Sequence, residues 1–332
     1  MTSLPGLARA VDSVLEAPIF TSFTRIGYDV RSRTGHWRQL DGYDLRERVV
    51  LLTGATSGLG LVAAEQLARC GATVVLLGRD ASKTKRVRDE VMARTGNDAI
   101  SAVTADMGDL AAVRAVAAEV VERHERLDVL IHNAGALSAT REVSALGTEL
   151  TVASQVVGPF LLTTLLLPLL RKTAGSRVLT MSSGGMYASP LRVADLEMGE
   201  DYKGSEQYAR AKRAQVTLNE MWAQRFPDRS IVFHAMHPGW ADTPGVRESL
   251  PTFRKVMGPL LRSPMQGADT MVWLAADDGE PLACSGGFWL DRRRRSLHKL
   301  PGTRASDTPA RRRELWDRVA AEAGVTEADL LG

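Results

Sequence analysis

A tyrosine and a lysine stand four residues apart in the segment YARAK, at Tyr208 and Lys212. In a helix, residues with this spacing lie one turn apart on the same face, so the ammonium group could stand beside the phenol. A phenol has an ordinary pKa of about 10, and a nearby positive charge lowers this pKa by favouring the phenolate. Such a pair could exchange a proton with a substrate oxygen. The same spacing also occurs in ordinary surface helices, so the pair alone does not establish a site.

A glycine-rich turn, TGATSGLG, occupies residues 53–60 and carries Gly54, Gly58 and Gly60. An apolar run precedes it and an amphipathic segment follows it. Glycines at such a turn let the backbone approach a pyrophosphate, whose charge meets free N–H groups at a helix N-terminus. Because the turn joins a first strand to a first helix, the sequence predicts a dinucleotide site here rather than a plain structural turn.

An arginine, Arg79, follows the second apolar run, which ends at Gly78. In a dinucleotide-binding fold the residue at this position meets the adenosine ribose. An acidic side chain would accept a hydrogen bond from a free 2′-hydroxyl, whereas an arginine suits a 2′-phosphate. Arg79 therefore favours NADP(H), with NAD(H) the weaker choice. The alternative is that Arg79 is solvated and that Asp80 contacts the ribose.

Strand-like and helix-like segments alternate from residue 46 onward and would position these groups. The short apolar runs are RVVLLT, ATVVLLG, AISAVTAD, LDVLIHNAG, SRVLTMSS, SIVFHAMHPG and GGFWL, and amphipathic segments separate them. This pattern predicts a single α/β domain over residues 45–332, with a doubly wound parallel sheet of about seven strands and helices on both faces.

One uncharged segment, residues 151–170, is long enough to cross a membrane. It contains Gly158, Pro159 and Pro168 and lies between segments that belong to the α/β pattern. We therefore expect a buried helix, and a homo-oligomer in which a partner subunit covers part of that helix.

Composition excludes some classes of protein. The 332 residues carry 42 Lys and Arg against 39 Asp and Glu, a net charge of +3, which argues against a nucleic-acid binder. The two cysteines, Cys70 and Cys284, show no metal-ligand spacing and fit a reduced, cytoplasmic compartment. No secretory signal is recognisable, and we expect no metal site.

The N-terminal arm, residues 1–44, differs from the rest of the chain. Apolar residues recur at helical spacing from Leu4 to Leu15, and aromatic and basic residues follow, among them Phe20, Phe23 and Arg31. Two interpretations stay open. The arm packs across the main domain or a neighbouring subunit, or it makes peripheral contact with a membrane surface.

In this order and context the motifs resemble the short-chain dehydrogenase/reductase superfamily, over about residues 46–332, which implies a Rossmann-like fold. HNAG at 132–135 resembles the family's NNAG motif, with His132 in place of the first asparagine. YARAK resembles its YxxxK motif, and HPGWADT at 237–243 resembles the turn that borders the nicotinamide. The cofactor contacts that the resemblance implies are Gly54, Thr56, Ser57, Gly58, Leu59, Gly60, Arg79, Asp106, Met107, Asn133, Ala134, Gly135, Tyr208, Lys212, Pro238, Gly239 and Thr243.

The reaction implied by the resemblance is hydride transfer between a nicotinamide and a carbonyl or alcohol carbon of a small molecule. Tyr208 would be the general acid or base, and Lys212 would lower its pKa and bind the nicotinamide ribose. A serine would hydrogen-bond the substrate oxygen. Neighbouring side chains at a strand end point to opposite sides, so Ser182 and Ser183 cannot both face the site, and the family pattern favours Ser183.

One catalytic position departs from the family pattern. The stretch ASQVVGPF places Gln155 where the family carries an asparagine that positions a water in a proton relay to the lysine. Gln155 keeps the amide and adds a methylene. Two functions follow: an active oxidoreductase, or a dinucleotide-binding sensor or scaffold that has lost turnover.

The segment around residues 240–263 resembles the family's flexible substrate lid. Its apolar residues, among them Leu250, Val256 and Met257, favour a lipophilic substrate such as a steroid, retinoid or fatty aldehyde. The alternative is that these residues simply pack on the core. We expect structural roles for His132 and His237, and a solvated face for the basic run Arg292–Arg295.

Overall fold

One eight-stranded sheet organises the chain, for which a computed structural model describes residues 5–16 and 18–331. The spatial order is β3-β2-β1-β4-β5-β6-β7-β8, and neighbouring strands are parallel except for the last pair. The predicted doubly wound α/β fold is confirmed, with a two-residue eighth strand added at the edge. The strands are β1 (Val49–Thr53), β2 (Thr73–Gly78), β3 (Ile100–Thr104), β4 (Val129–His132), β5 (Ser176–Met181), β6 (Ile231–Met236), β7 (Gly287–Leu290) and β8 (Arg293–Arg294).

Helices lie on both faces of the sheet, with short 3₁₀ turns at Leu40–Gly42, Gly184–Ala188 and Gly258–Leu260. The helices are α1 (Pro5–Glu16), α2 (Ile19–Phe23), α3 (Arg25–Thr34), α4 (Gly58–Arg69), α5 (Ala81–Thr95), α6 (Leu110–Arg123), α7 (Leu150–Val152), α8 (Gly158–Lys172), α9 (Gly204–Arg225), α10 (Pro244–Ser249), α11 (Pro251–Met257), α12 (Pro264–Ala276), α13 (Glu280–Ala283), α14 (Pro301–Ser306), α15 (Pro309–Ala323) and α16 (Glu327–Leu331).

Two hydrophobic layers sandwich the central strands. Leu51 of β1 joins the layer that contains residues of α6, α8 and α9, whereas Leu52 joins the layer with residues of α4 and α12. Successive side chains of a strand point to opposite faces, so a strand buried on both faces must be apolar throughout. This requirement explains why the predicted strands are unbroken apolar runs.

The long apolar segment is buried within the chain. Within the described residues, Leu150–Lys172 is the one helical stretch long and apolar enough to cross a membrane, and 78% of its most apolar window is buried. Helices α15 and α16 pack against α8. The ring of Trp316 in α15 lies 4.9 Å from that of Phe160, centroid to centroid. Helices of the same chain therefore cover part of the surface for which we expected a partner subunit.

The described part of the N-terminal arm packs across the carboxyl edge of the sheet. Arg31 of α3 is buried and forms ion pairs with Asp12 at 2.7 Å and with Asp291 at 2.6 Å. Arg262 also pairs with Asp291, at 2.5 Å. One buried carboxylate thus joins the arm to the main domain. Of the apolar face predicted from Leu4 to Leu15, the side chains up to residue 10 lie outside the described residues, whereas Val11 and Leu15 are partly buried and Val14 is exposed.

The expected solvated face at Arg292–Arg295 is wrong for two of the four side chains. Arg292 is buried and pairs with Asp269 at 2.7 Å, and the nearly buried Arg295 pairs with Asp12 at 2.8 Å. Asp291 and Arg292 both have a positive φ, because they form the two-residue turn between β7 and β8. The tight turn and the carboxylates of Asp269 and Asp12 therefore place the side chains of Arg292 and Arg295 inside the protein.

Candidate active site

The site residues converge at the carboxyl ends of β1, β4, β5 and β6, where the order of the strands reverses. In open α/β sheets this switch point is where ligands bind. Thr53 closes the gap between β1 and β4, since its hydroxyl accepts hydrogen bonds from the N–H groups of Asn133 and Ala134, both at 3.0 Å. The glycine-rich turn and the HNAG segment are therefore held side by side.

The glycine-rich turn has no room for side chains at two of its glycines. Gly54 has a φ of +66°, and a Cβ there would lie 2.8 Å from the Cα of Ala134. A Cβ on Gly60 would lie 2.2 Å from the carbonyl oxygen of Gly54. Gly58, with a φ of +55°, begins α4, and Ser57 precedes it without capping that helix through its side chain. Free N–H groups at the start of α4 fit a bound pyrophosphate.

The HNAG segment lines the turn from the other side. The side-chain amide of Asn133 donates to the carbonyl oxygens of Thr53 and Gly54, each at 3.1 Å. His132, at the end of β4, is buried and contacts the Thr163 hydroxyl at 2.8 Å. Burial lowers the pKa of His132 to about 3, so this ring is neutral and structural.

The two residues after β2 have different environments. The Asp80 carboxylate caps α5 by accepting a hydrogen bond from the N–H of Lys83 at 2.8 Å. Arg79 is exposed, and within the described parts of the chain it forms no ion pair. The carboxylate that could serve a ribose hydroxyl is therefore engaged, whereas the guanidinium can reach an anion.

The remaining residues predicted to contact the cofactor border the same cleft. Asp106 follows β3 and accepts a hydrogen bond from the N–H of Gly108 at 2.8 Å. The Met107 side chain is buried in the hydrophobic core, so only the backbone of Met107 is left to contact a cofactor. A Cβ on Gly58 would lie 3.7 Å from the Cβ of Thr243, the residue whose side chain caps α10. The segment after β6 thus closes over the glycine-rich turn.

The other two predicted contacts in the glycine-rich turn are Thr56 and Leu59. The side chain of Thr56 lies against Gly78, and the side chain of Leu59 lies against Gly267.

Tyr208 and Lys212 lie one turn apart on α9, as the spacing predicts. The Nζ of Lys212 lies 5.2 Å from the centroid of the Tyr208 ring and donates to the carbonyl oxygen of Met181 at 2.9 Å. The Ser183 hydroxyl is the side chain that acts on the Tyr208 phenol, and it acts to lower the pKa of that phenol. Ser182 is buried and donates to the carbonyl oxygen of Lys212 at 3.3 Å. The geometry therefore brings Ser183, and not Ser182, to the phenol.

The expected lowering of the tyrosine pKa is reversed in this structure. Burial raises the pKa of Tyr208 to about 12, although the Ser183 side chain acts in the opposite direction. Burial also lowers the pKa of Lys212 to about 7. Desolvation penalises the charged form of each group. The phenol is consequently neutral, which is the form that donates a proton.

Gln155 lies in a π-helical turn, Ala153–Val157, between α7 and α8. Such turns are frequent at functional sites. Its Nε2 donates to the carbonyl oxygen of Ala136 at 2.7 Å, and its buried Oε1 has no partner among the described residues. A Cβ on Gly135 would lie 2.9 Å from this Oε1 and 3.3 Å from the Nζ of Lys212. The amide and the ammonium therefore flank the same glycine.

The turn after β6 carries Pro238 and Gly239. Gly239 has a φ of +71°, and its N–H donates to Nδ1 of the buried His237 at 3.1 Å. Burial holds the pKa of His237 well below its ordinary value, so this ring supports the turn as a neutral group. A Cβ on Gly239 would lie 2.3 Å from the Nε of Arg262, so only glycine fits against that guanidinium.

The predicted lid consists of α10, α11 and the 3₁₀ turn at Gly258–Leu260. Its apolar residues divide into two groups. One group packs on the core and the other is exposed, so each of the two interpretations, core packing and a lipophilic substrate surface, accounts for only part of the lid. Met257 and Leu261 are buried, whereas Leu250 and Val256 are exposed. The aromatic residues Phe23 and Trp240 also lie beside the site but were not among the predicted site residues, although the aromatic composition of the arm pointed to Phe23.

Comparisons with known proteins agree with this geometry. Residues 48–252 match the family described as short chain dehydrogenase. Dehydrogenase/reductase SDR family member 12 of Homo sapiens is 39% identical over 294 residues, 88% of this chain and 91% of the relative. Retinol dehydrogenase 12 of Bos taurus is 33% identical over 247 residues, 74% of this chain and 78% of the relative.

A solved structure has a similar fold. The structure described as the Pseudomonas aeruginosa RhlG/NADP active-site complex has a TM-score of 0.61 and 26% sequence identity, and the match covers 74% of this chain and 94% of that one. The resemblance in the motifs is confirmed: the chain belongs to the short-chain dehydrogenase/reductase family of oxidoreductases that act on CH–OH and C=O groups.

Proposed function

We propose that this protein is an NADP(H)-dependent oxidoreductase that interconverts a carbonyl and an alcohol on a lipophilic small molecule. One observation carries the proposal. Tyr208, with Ser183 acting on its phenol, stands next to Lys212 at the switch point of a sheet whose glycine-rich turn can receive a dinucleotide. The bound nicotinamide would supply or accept the hydride.

The residues of this chain would position the substrate and move its proton. Ser183 and Tyr208 would bind the substrate oxygen between their hydroxyl groups, which fixes the carbonyl carbon. In reduction the proton moves from the Tyr208 hydroxyl to the substrate oxygen, and in oxidation it moves back. Lys212 would stabilise the phenolate left by reduction when it carries its proton. The neutral phenol in this structure is the form that donates the proton when a carbonyl is reduced.

Two observations support NADP(H) as the cofactor. Arg79 is exposed directly after β2, and the nearby Asp80 carboxylate is engaged in capping α5. A guanidinium binds a phosphate by charge and by paired hydrogen bonds. The structurally similar RhlG protein is described as a complex with NADP.

The lipophilic character of the substrate rests on the lid and on the relatives. Leu250 and Val256 expose apolar surface on the lid. Relatives that are 30% identical or more include proteins named retinol dehydrogenase, whose named substrate is lipophilic. An apolar substrate would gain affinity by covering such surface.

The competing function is a sensor or scaffold that binds the dinucleotide without turnover. Gln155 motivated this alternative, yet its amide reaches the Ala136 carbonyl and leaves Oε1 beside Lys212. A screen of lipophilic aldehydes, ketones and alcohols with NADPH and NADP⁺ separates the two functions. Substrate-dependent change in NADPH absorbance supports the enzyme, whereas tight NADPH binding with no turnover on any compound supports the sensor.

A further inference from the structure

We propose that the N-terminal arm forms one wall of the substrate site, with Phe20 as the side chain that contacts the apolar body of the substrate. The wall consists of four aromatic residues, Phe20, Phe23, Trp240 and Phe253, and is called the aromatic wall below. This inference rests on the proposed function, since it assigns the residues that recognise the substrate of the same site.

The inner end of the aromatic wall touches the catalytic segment. Gly184 directly follows Ser183, and a Cβ on Gly184 would lie 2.5 Å from the ring of Phe23. The backbone N–H of Trp240 donates to the carbonyl oxygen of Phe23 at 2.8 Å. The arm is therefore in contact with both sides of the site, the serine segment after β5 and the turn after β6.

From Phe23 the rings continue outward to the lid. The centroids of Phe23 and Trp240 are 5.7 Å apart, and those of Trp240 and Phe253 are 5.3 Å apart. Phe20 lies 6.2 Å from Trp240, with its ring nearly perpendicular at 79°. These are edge-to-face contacts between aromatic rings. Trp240 thus connects an arm residue with a lid residue in one continuous apolar surface.

Exposure increases along the aromatic wall. Phe23 is 2% exposed, Trp240 and Phe253 are half-buried, and Phe20 is 45% exposed. A ligand held at Ser183 and Tyr208 can gain apolar contact only where ring surface remains uncovered. The outer rings provide that surface, and Phe20 provides the part that belongs to the arm.

The arm is fixed firmly enough to act as a wall. The Arg262 guanidinium donates to the carbonyl oxygens of Ser22 at 2.9 Å and Phe23 at 3.0 Å, which belong to two consecutive peptide groups. It also pairs with Asp291, which pairs with Arg31 of the arm. Because these groups are buried, the arm does not have to be ordered when a ligand binds.

The experiment measures binding of n-alkanols from butanol to decanol to the NADPH-bound protein by isothermal titration calorimetry. NADPH prevents turnover, because the reduced cofactor cannot accept a hydride from an alcohol. The parent protein should gain about fourfold in affinity per methylene while the chain is covered by the aromatic wall. Phe20→Ala should lose about tenfold for decanol and less than about twofold for butanol.

Ile19→Ala is the matched control, since Ile19 is adjacent and 44% exposed. It should leave both affinities unchanged, and Phe20→Trp should retain the affinity for decanol. Equal decanol affinities for the parent and Phe20→Ala would overturn the inference, as would an equal loss in Ile19→Ala. Turnover is measured separately in the screen of lipophilic aldehydes, ketones and alcohols. Failure on every compound rejects the proposed function, while the binding data still decide the role of Phe20.

Discussion

The ammonium of Lys212 lies 5.2 Å from the ring centroid of Tyr208 and is bound to the carbonyl oxygen of Met181. At this distance the two groups share one buried environment, and burial disfavours the charged form of each. The pair is thus set with a neutral phenol beside a lysine that can gain or lose its proton near pH 7. The predictions about catalysis follow from this relationship.

Tyr208→Phe should reduce kcat for NADPH-dependent carbonyl reduction by about 1000-fold or more, because the phenolic proton is lost while the ring is kept. The dissociation constant for NADPH, measured by fluorescence titration, should change by less than about twofold. Tyr202→Phe is the control, since Tyr202 bonds to Glu149 instead. Turnover by Tyr208→Phe at the parental rate would contradict the mechanism.

Lys212→Met should change the pH dependence of stability in the cofactor-free protein. The pKa of Lys212 falls from its ordinary value of 10.5 to about 7 on folding. Between these values the unfolded chain binds more protons, so the parent gains stability as pH rises through this window. The stability advantage of Lys212→Met over the parent should therefore be smaller at pH 9 than at pH 7, by about 1–3 kcal/mol.

Urea unfolding at the two pH values measures this difference. Lys203→Met, at an exposed lysine that precedes α9, should show the same difference from the parent at pH 7 and pH 9. A pH-independent difference for Lys212→Met as well would show that the lysine is not desolvated in the folded protein.

Arg79→Ala should weaken NADPH binding by about 10- to 100-fold, since it removes a charged hydrogen-bond donor from the 2′-phosphate. NADH carries no such phosphate, so its affinity should change by less than about twofold. Calorimetric titrations with both cofactors measure this ratio. Arg86→Ala, a change at an exposed arginine of α5, is the control. An equal loss of affinity for NADPH and NADH would show that Arg79 does not bind the 2′-phosphate.

The alternation of apolar runs and amphipathic segments was sufficient to predict the sheet, because the residues that a buried strand and a tight glycine turn require are neighbours in the sequence. A strand such as β1 must be apolar on both faces, and Gly54 and Gly60 must be glycines where backbones meet. The arm could not be placed in this way. Arg31 and Asp291 are 260 residues apart, and nothing in either segment specifies the other as its partner.

The candidate site divides along the same line. The relative positions of Tyr208 and Lys212 follow from helical spacing, and the surrounding motifs identified the pair as a candidate site. The π-helical turn at Gln155 has no periodic signal, and the direction of the Tyr208 pKa depends on burial that only the assembled fold provides. The inward position of Arg292 likewise depends on Asp269, which lies in α12.

Asp291→Asn should destabilise the protein by about 3 kcal/mol or more, because it leaves Arg31 and Arg262 buried beside a neutral amide. The free energy of unfolding, measured by urea titration, tests this value. Arg33→Ala, an exposed change on the same helix as Arg31, should alter it by less than about 0.5 kcal/mol. Equal effects of the two variants would mean that the arm is not anchored through this carboxylate.

Gln155→Leu should lower kcat by about tenfold or more and leave the NADPH dissociation constant nearly unchanged, because it removes the buried amide beside Lys212 and keeps its volume. The free Oε1 can accept a hydrogen bond from a water and hold that water near Lys212. The water and the lysine, rather than the amide, would pass the proton toward Tyr208. Steady-state kinetics with the same aldehyde measure kcat.

The control is Ser154→Ala, at the preceding residue of the π-helical turn. This change removes only a hydrogen bond to the Leu150 carbonyl and should keep kcat. If Gln155→Leu and Ser154→Ala lowered kcat equally, the loss would come from disturbance of the turn. A relay through a water held by the Gln155 amide requires the loss to be confined to Gln155→Leu, with partial recovery of kcat in Gln155→Asn.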